Sequence, residues 1–365
     1  MVATPYVATV TTERAGPAIA PIGEQSPSLP TVYTSHWFSV TVLPTPVLRD
    51  ARLGFDLPRG HVRVLSTRFG KLCLAHRDVA SGRRTQLRLV RERPDTGTRL
   101  ASEMAWLTHL AHAHALPVPR PLPWRDGGLV SPTLYATDGA PWRAVACSWV
   151  AGRHIGRGLT PSHLRRAGAL VARLHGANGD IPDGITAARP TWWIPRLFEL
   201  ATSLRDVVEE RGPLPPSVPP ALAVALREAT AALQGQHAAL PDSPAHVGLI
   251  HTDAHWQNMR WTADRLGLVD FEDCATGRFM LDIACCHDRV RERHDSAALL
   301  DALLAGYDAV TPLPSGYADD LRVMRAFRRL DYAGWVLSWP RTDLRPWGPA
   351  FLAAAPGAIL RLLER

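Results

Sequence analysis

The sequence predicts an α+β chain in two units, a small antiparallel sheet lobe with one main helix followed by a larger, mainly helical lobe. Three observations carry this. At 365 residues the chain exceeds the roughly 150 residues of a single domain. Short strand-like runs crowd the stretch from His61 to Glu92. Beyond Gly152 the apolar residues recur at helical spacing instead.

Residues 1–35 are rich in Thr, Pro, Ala, Ser and Gly without a sustained period, and are expected to form a flexible tail. The sheet-rich lobe is expected over 36–148. It begins with the runs HVRVLS, KLCLAHRD and TQLRLVRE, the last two separated by the Gly-containing turn VASGRR. After the Pro94–Gly97 turn, Leu100, Met104, Leu107 and Leu110 or Ala111 recur at helical spacing, until the Pro-rich PVPRPLPWRDGG stops the helix. A further extended run, RAVACSWV, leads into a hinge at 149–153, and the helical lobe is expected over 154–365. Its first helix is TPSHLRRAGALVARLHGAN, with Thr160 as cap and Pro161 in the first turn. RLFELATSLRDVVEERG and PPALAVALREATAALQGQHAAL follow as helices. The pieces GLI, NMRWT and RLGLVDFED are strand-like, and three more helical runs close the chain.

A content of 46% hydrophobic residues with 12 Trp excludes a wholly disordered chain. The net charge of +7 would ordinarily raise nucleic acid or an anionic membrane as partner. Yet Lys71 is the one lysine among 41 basic residues, a skew that reads as coding bias towards Arg, Ala and Pro rather than as a nucleic-acid surface. Five cysteines without a CxxC pair predict a reducing compartment. Neither a secretory signal nor a run of ~18 apolar residues is present, so a cytoplasmic location without membrane contact is expected.

The chemistry concentrates in LIHTDAHWQNMRWTADRLGLVDFEDC, residues 249–274. Asp253, Asn258 and Asp270 stand out. Phosphoryl transfer from a nucleotide needs a carboxylate at the acceptor hydroxyl and oxygen ligands that hold Mg²⁺ on the phosphates. Asp253 suits the first task, and Asn258 with Asp270 the second. Single carboxylates are often caps or surface groups, and His251-x-Asp253-x-His255 also fits a metal-dependent hydrolase. The GRHIGRG run at 152–158 reads as turn chemistry. Trp192, Trp193, Trp335 and Trp339 read as core residues, or as an acceptor pocket with Asp331 if exposed.

With these residues in place the chain resembles the aminoglycoside phosphotransferase-like small-molecule kinases, whose fold is similar to that of protein kinases. Their H-x-D-x-x-x-x-N loop is matched by His251, Asp253 and Asn258, and their [ILV]-D-[FWY] segment by Val269-Asp270-Phe271. An Asp before small apolar residues is matched by Leu281-Asp282-Ile283-Ala284. SEMAWLTHL, SWVAGRHIGRGL and LRRAGALVARLH extend the likeness to about residues 60–340, towards a branch that contains homoserine kinase-like proteins. The resemblance implies ATP and Mg²⁺ as cofactors and a small-molecule hydroxyl as acceptor, aminoglycoside-, amino-alcohol- or sugar-like. It also implies Asp253 as base, Asn258 and Asp270 as metal ligands, and His251 and Asp282 as structural support. Adenine would lie on the backbone of Trp149, Val150 and Ala151. The family commonly has Gly and Leu where Thr252 and Ala254 stand. Its nucleotide-holding Lys is replaced by Arg88, fifteen residues before its expected partner Glu103, whereas Lys71 lies thirty-two before it. No Gly-rich loop is evident beyond LSTRFGKL, where the amides of 66–70 are candidates to cap phosphates. These departures keep open a catalytically silent, kinase-shaped binding protein, with a nucleic-acid binder third.

Overall fold

The computed structural model describes residues 44–68, 70–156, 158–338 and 347–364. The expected tail and Trp339 lie outside them. Two compact units emerge: one holds residues 44–151 with Pro182–Ala188, the other Gly152–Ile181 with the residues from Arg189 onward.

In the first unit α1 (Thr45–Gly54) precedes β1 (Gly60–Arg68), β2 (Lys71–Asp78) and β3 (Arg84–Arg91). Then come α2 (Thr96–His112), β4 (Leu134–Tyr135) and β5 (Pro141–Ser148). The strands form one antiparallel sheet in the order β1-β2-β3-β5-β4. Period-2 alternation divides its faces. Leu72, Leu74, Leu87, Leu89, Ala144 and Ala146 point to one side and bury against Val47, Leu48 and Ala51 of α1. Each large aliphatic so buried contributes about 1.5–3 kcal/mol. The opposite face carries Arg88 and Cys147 towards α2, where Cys147 Sγ meets Met104 Sδ at 3.8 Å. Burial, with the Glu103 carboxylate beside it, pushes the Cys147 thiol up to about 12. The short helix α1 is absent from the sequence reading, although Val47, Leu48, Ala51 and Gly54 form one buried stripe at helical spacing. Strand pairing runs as far as Arg68↔Lys71, so the β1–β2 connection is a tight turn with Gly70 at φ +75°. Ser66 and Thr67, assigned above to a phosphate-capping loop, therefore stand in the ladder; Phe69 lies outside the described residues. Pro182–Ala188, from the stretch expected to be helical lobe, packs with this unit through Ser102 Oγ, which donates to the Ile185 carbonyl at 2.7 Å.

The second unit opens with α3 (Pro161–Gly176), whose Thr160 side chain accepts from the His163 amide while His163 returns a bond to the Thr160 amide. α4 (Ile194–Leu200) and α5 (Thr202–Val208) replace the single helix expected over 196–212. The chain turns at Ala201 because Leu197, Ala201 and Leu204 close over the bare backbone of Gly334, on the long helix near the C-terminus. α6 (Pro220–Ala238), β6 (Val247–Ile250), β7 (Met259–Trp261), β8 (Leu266–Leu268) and β9 (Ala275–Arg278) follow. The unit ends with α7 (Phe279–Asp288), α8 (Ser296–Asp308), α9 (Tyr317–Leu337) and α10 (Gly348–Leu363). The strands pair as two antiparallel ribbons, β6 with β9 and β7 with β8. Every residue of α7 is buried, so it has no amphipathic period and was read only as a supporting Asp. Arg278 and His246 pair with buried Asp320 of α9 and pin the start of α7. Among the described residues no helix is long and apolar enough to cross a membrane.

Candidate active site

The loop between β6 and β7 owes its shape to α7. Buried Asp282 accepts the amides of His251 and Thr252, each at 2.8 Å, and faces His175 Nε2 at 3.2 Å. One turn on, Cys285 and Cys286 donate their thiols to the carbonyls of Thr252 and Ala254 at 3.1 and 2.7 Å. Residues at i, i+3 and i+4 share one helix face, so three side chains of α7 floor the loop. The cysteines are thus hydrogen-bond donors, and burial pushes both thiols well above the ordinary range. Because His175 Nε2 donates to the carboxylate, its Nδ1 accepts from Tyr307 Oη at 3.0 Å, which fixes the tautomer. His251 is fully buried, with Nε2 on the Val269 carbonyl at 3.0 Å and Nδ1 accepting the Asp253 amide at 3.3 Å.

This floor lifts Asp253 towards solvent, its side chain 36% exposed. Arg328 of α9 donates to Oδ1 at 2.5 Å. His255 lies 3.1 Å from Oδ2, and since its Nδ1 accepts the Gln257 amide, its Nε2 carries the proton that bridges them. Burial works to raise the pKa of Asp253. His255 and Arg328 outweigh it and hold the carboxyl well below the usual carboxylate range. The group is an acceptor at any physiological pH.

Asn258 points its Nδ2 at the carbonyl and Oδ2 of Asp253, 3.0 and 3.3 Å away. Both partners only accept, so the amide nitrogen must face them, and Oδ1 is not engaged by Asp253. The β7–β8 hairpin carries the chain back, and the Val269 amide donates to the Asn258 carbonyl at 2.9 Å. Asp270 follows at φ +73° with its side chain exposed. An amide oxygen and a carboxylate are the donor types that a hard, oxygen-preferring cation such as Mg²⁺ takes.

In the first unit Arg88 of β3 donates to Glu103 of α2 at 2.6 Å, both nearly buried. Lys71 stands at the β1–β2 turn, in register with Val90. Trp149, Val150 and Ala151 continue β5, and the Arg84 guanidinium lies 4.7 Å over the Trp149 ring.

A family model described as "Phosphotransferase enzyme family" matches residues 75–327, well over half of the sequence. The chain belongs to that family. A homoserine kinase of Methylobacterium radiotolerans is 30% identical over 209 residues, which cover 54% of this chain and 56% of that enzyme. One from Methylorubrum populi is 32% identical over 266 residues, 69% of this chain and 70% of that enzyme. The chain thus spans little more than half the length of the Methylobacterium relative. Among solved structures, an amicoumacin kinase in complex with AMP-PNP and Ca²⁺ superposes with a TM-score of 0.71 at 18% identity, covering 86% of this chain and 92% of that one. A microcompartment-associated aminopropanol kinase gives 0.71 at 21%, covering 88% and 98%. The fold is that of these kinases.

Within this family fold several sequence expectations change meaning. Both ring nitrogens of His251 are engaged by backbone, and both of His255 by Gln257 and Asp253, so the His-x-Asp-x-His run offers no imidazole lone pair for a hydrolytic metal. Gly152 and Gly156 take φ +129° and +62°, and a Cβ on Gly152 would come within 2.7 Å of the Arg260 backbone; this run is turn chemistry. Trp193 stacks on His237 and Trp335 on Trp347, so these are packing residues, and Asp331 binds Arg328. Arg328 and His175 were missed as site residues. Arg328 reaches the loop from α9 and His175 supports it through Asp282, and no local motif marks either.

Proposed function

We propose that the chain is an ATP- and Mg²⁺-dependent phosphotransferase that moves the γ-phosphate to a hydroxyl of a small molecule, within the aminoglycoside-, amino-alcohol- or sugar-like range. The observation that supports this reading is a partly exposed Asp253 carboxylate facing Asn258 Nδ2, with Asp270 one residue past the Val269 amide that donates to the Asn258 carbonyl. The acceptor oxygen bonds to phosphorus as the bond to the ADP oxygen breaks, and the hydroxyl proton passes to Asp253. In a loose transition state that proton leaves late, so a carboxylate of low basicity suffices to orient the hydroxyl. Asn258 Oδ1 and Asp270 would hold Mg²⁺, which when bound neutralises charge on the phosphates. Arg88, held by Glu103, meets phosphate oxygens with its planar fork, and the backbone of Trp149–Ala151 meets adenine.

The test compares wild type with Asp253→Ala, measuring MgATP binding by calorimetry and ADP release over a panel of aminoglycosides, amino alcohols, homoserine and sugar alcohols. MgATP binding is expected in both proteins, with turnover in wild type alone. Equal turnover would remove Asp253 from the reaction. MgATP binding by wild type without turnover of any acceptor would replace the enzyme reading by the silent binding protein.

A further inference from the structure

Asp253 is the only group of the loop that must meet the acceptor, and it is also the one that solvent could most easily leave mobile. Its Oδ2 is held within the loop, by His255 at 3.1 Å and Asn258 at 3.3 Å. Its Oδ1 is held from outside the loop, by Arg328 at 2.5 Å. Arg328 in turn has its second terminal nitrogen on Asp331 Oδ2 at 2.6 Å, and its guanidinium lies 4.6 Å over the Tyr332 ring, whose hydroxyl is 3.4 Å away. Asp331 and Tyr332 follow Arg328 by three and four residues on α9, so they line the same helix face. The arginine is nearly buried, with a side-chain exposure of 8%. A guanidinium whose two ends bind two carboxylates in a fixed plane cannot swing without breaking both charge-assisted bonds.

We infer that Arg328 is a positioning residue for the reaction, fixing the Asp253 carboxylate against the acceptor hydroxyl, and that Asp331 acts through it by holding the opposite end of the same guanidinium. This rests on the phosphotransferase reading above. With only Oδ2 held, the Asp253 carboxylate turns about its χ angles and the hydroxyl loses its alignment with the phosphorus. A misplacement of about 1 Å costs on the order of 100-fold in rate. Nucleotide binding, which uses other residues, stays.

The experiment measures kcat, acceptor KM and MgATP Kd for Arg328→Met, Arg328→Lys, Asp331→Asn and the Arg328→Met/Asp331→Asn double variant, with the panel acceptor that wild type turns over fastest. For Arg328→Met, kcat is expected to fall about 100-fold with MgATP Kd within about threefold of wild type. For the near-isosteric Asp331→Asn the expected fall is about tenfold. Lysine, a point charge that reaches one carboxylate, should recover part of the methionine loss. The double variant should be no slower than Arg328→Met, because residues that act in series are not additive. Independent multiplication of the two losses would overturn the relay, and an Arg328→Met kcat within threefold of wild type would overturn the positioning role. So would a parallel collapse of MgATP affinity and thermal stability in Arg328→Met and Asp331→Asn. Absence of any turnover by wild type that binds MgATP would instead sink the underlying phosphotransferase reading.

Discussion

Thr252 holds φ +68° in the middle of the loop, a region that β-branched residues almost never adopt. Such strain costs of order 1–3 kcal/mol and persists only where the surroundings over-determine it. Here Asp282 takes the amide and the Asp273 carbonyl takes the hydroxyl at 3.1 Å. Thr252→Gly removes the strain and the hydroxyl bond together, so stability in urea should stay within about 1 kcal/mol of wild type. Thr252→Val keeps the strain, loses the bond, and should cost about 1–2 kcal/mol in the same measurement. At Arg88 the pairing with nearly buried Glu103 sets the outcome. Alanine leaves that carboxylate uncompensated and should cost about 3–5 kcal/mol of stability, whereas lysine keeps the charge and most of the fold. A denaturation midpoint that hardly moves in Arg88→Ala would show the pair to be solvated. Residues of this kind were legible when their partners lie at short, fixed spacing, as Asp253 and Asn258 do. Arg328 was not, because it meets Asp253 across 75 residues and only packing brings it there.

Helix contacts decide how firmly the loop is floored. α3 and α8 cross so closely that a Cβ on Gly168 would fall 1.9 Å from the Leu303 carbonyl, and one on Gly306 at the same distance from the Arg165 carbonyl. Backbone cannot yield as a side-chain tip can, so Gly168→Ala and Gly306→Ala should each lower stability by about 1–3 kcal/mol in thermal unfolding. His175 sits on α3, so these variants should also loosen the Asp282 network it supports. At Asp282 itself two amides demand two acceptors, and an asparagine presents only one oxygen. Asp282→Asn should cost roughly 2–4 kcal/mol and slow turnover, read by chemical denaturation and kinetics. The capped, amphipathic helix α3 and the alternating strands β2 and β3 could be read from sequence, since period and capping are local signals. The fully buried α7 could not, although it carries the loop's entire floor.

Across the whole chain, acid should be the weak side. His287 is pushed down to about 4 by burial, with Arg325 beside it, and burial likewise lowers His76 in the first unit and His237 in the second. A histidine whose folded pKa lies below its unfolded value takes its proton first in the unfolded chain. Stability from these groups is therefore complete above pH 6.5 and is lost as pH falls towards 4, a loss of a few kcal/mol for His287. The paired carboxylates Asp253 and Asp288, held low, lose theirs only in stronger acid. The melting temperature should drop between pH 7 and pH 5, with a shallower slope in His287→Gln; an unchanged slope would place the proton uptake elsewhere. By itself the sequence determined the class of fold, the strands β1, β2, β3 and β5, the capped helix α3, and the spacing of the H-x-D-x-x-x-x-N and V-D-F segments. All of these are written in separations of a few residues, which backbone geometry converts directly into faces, turns and neighbours. Tertiary structure alone decided which cation holds Asp253, how α7 shapes the loop beneath it, and where the chain breaks between α4 and α5. Burial selects those contacts over tens of residues of chain, and apolar burial carries no periodic mark of its partner.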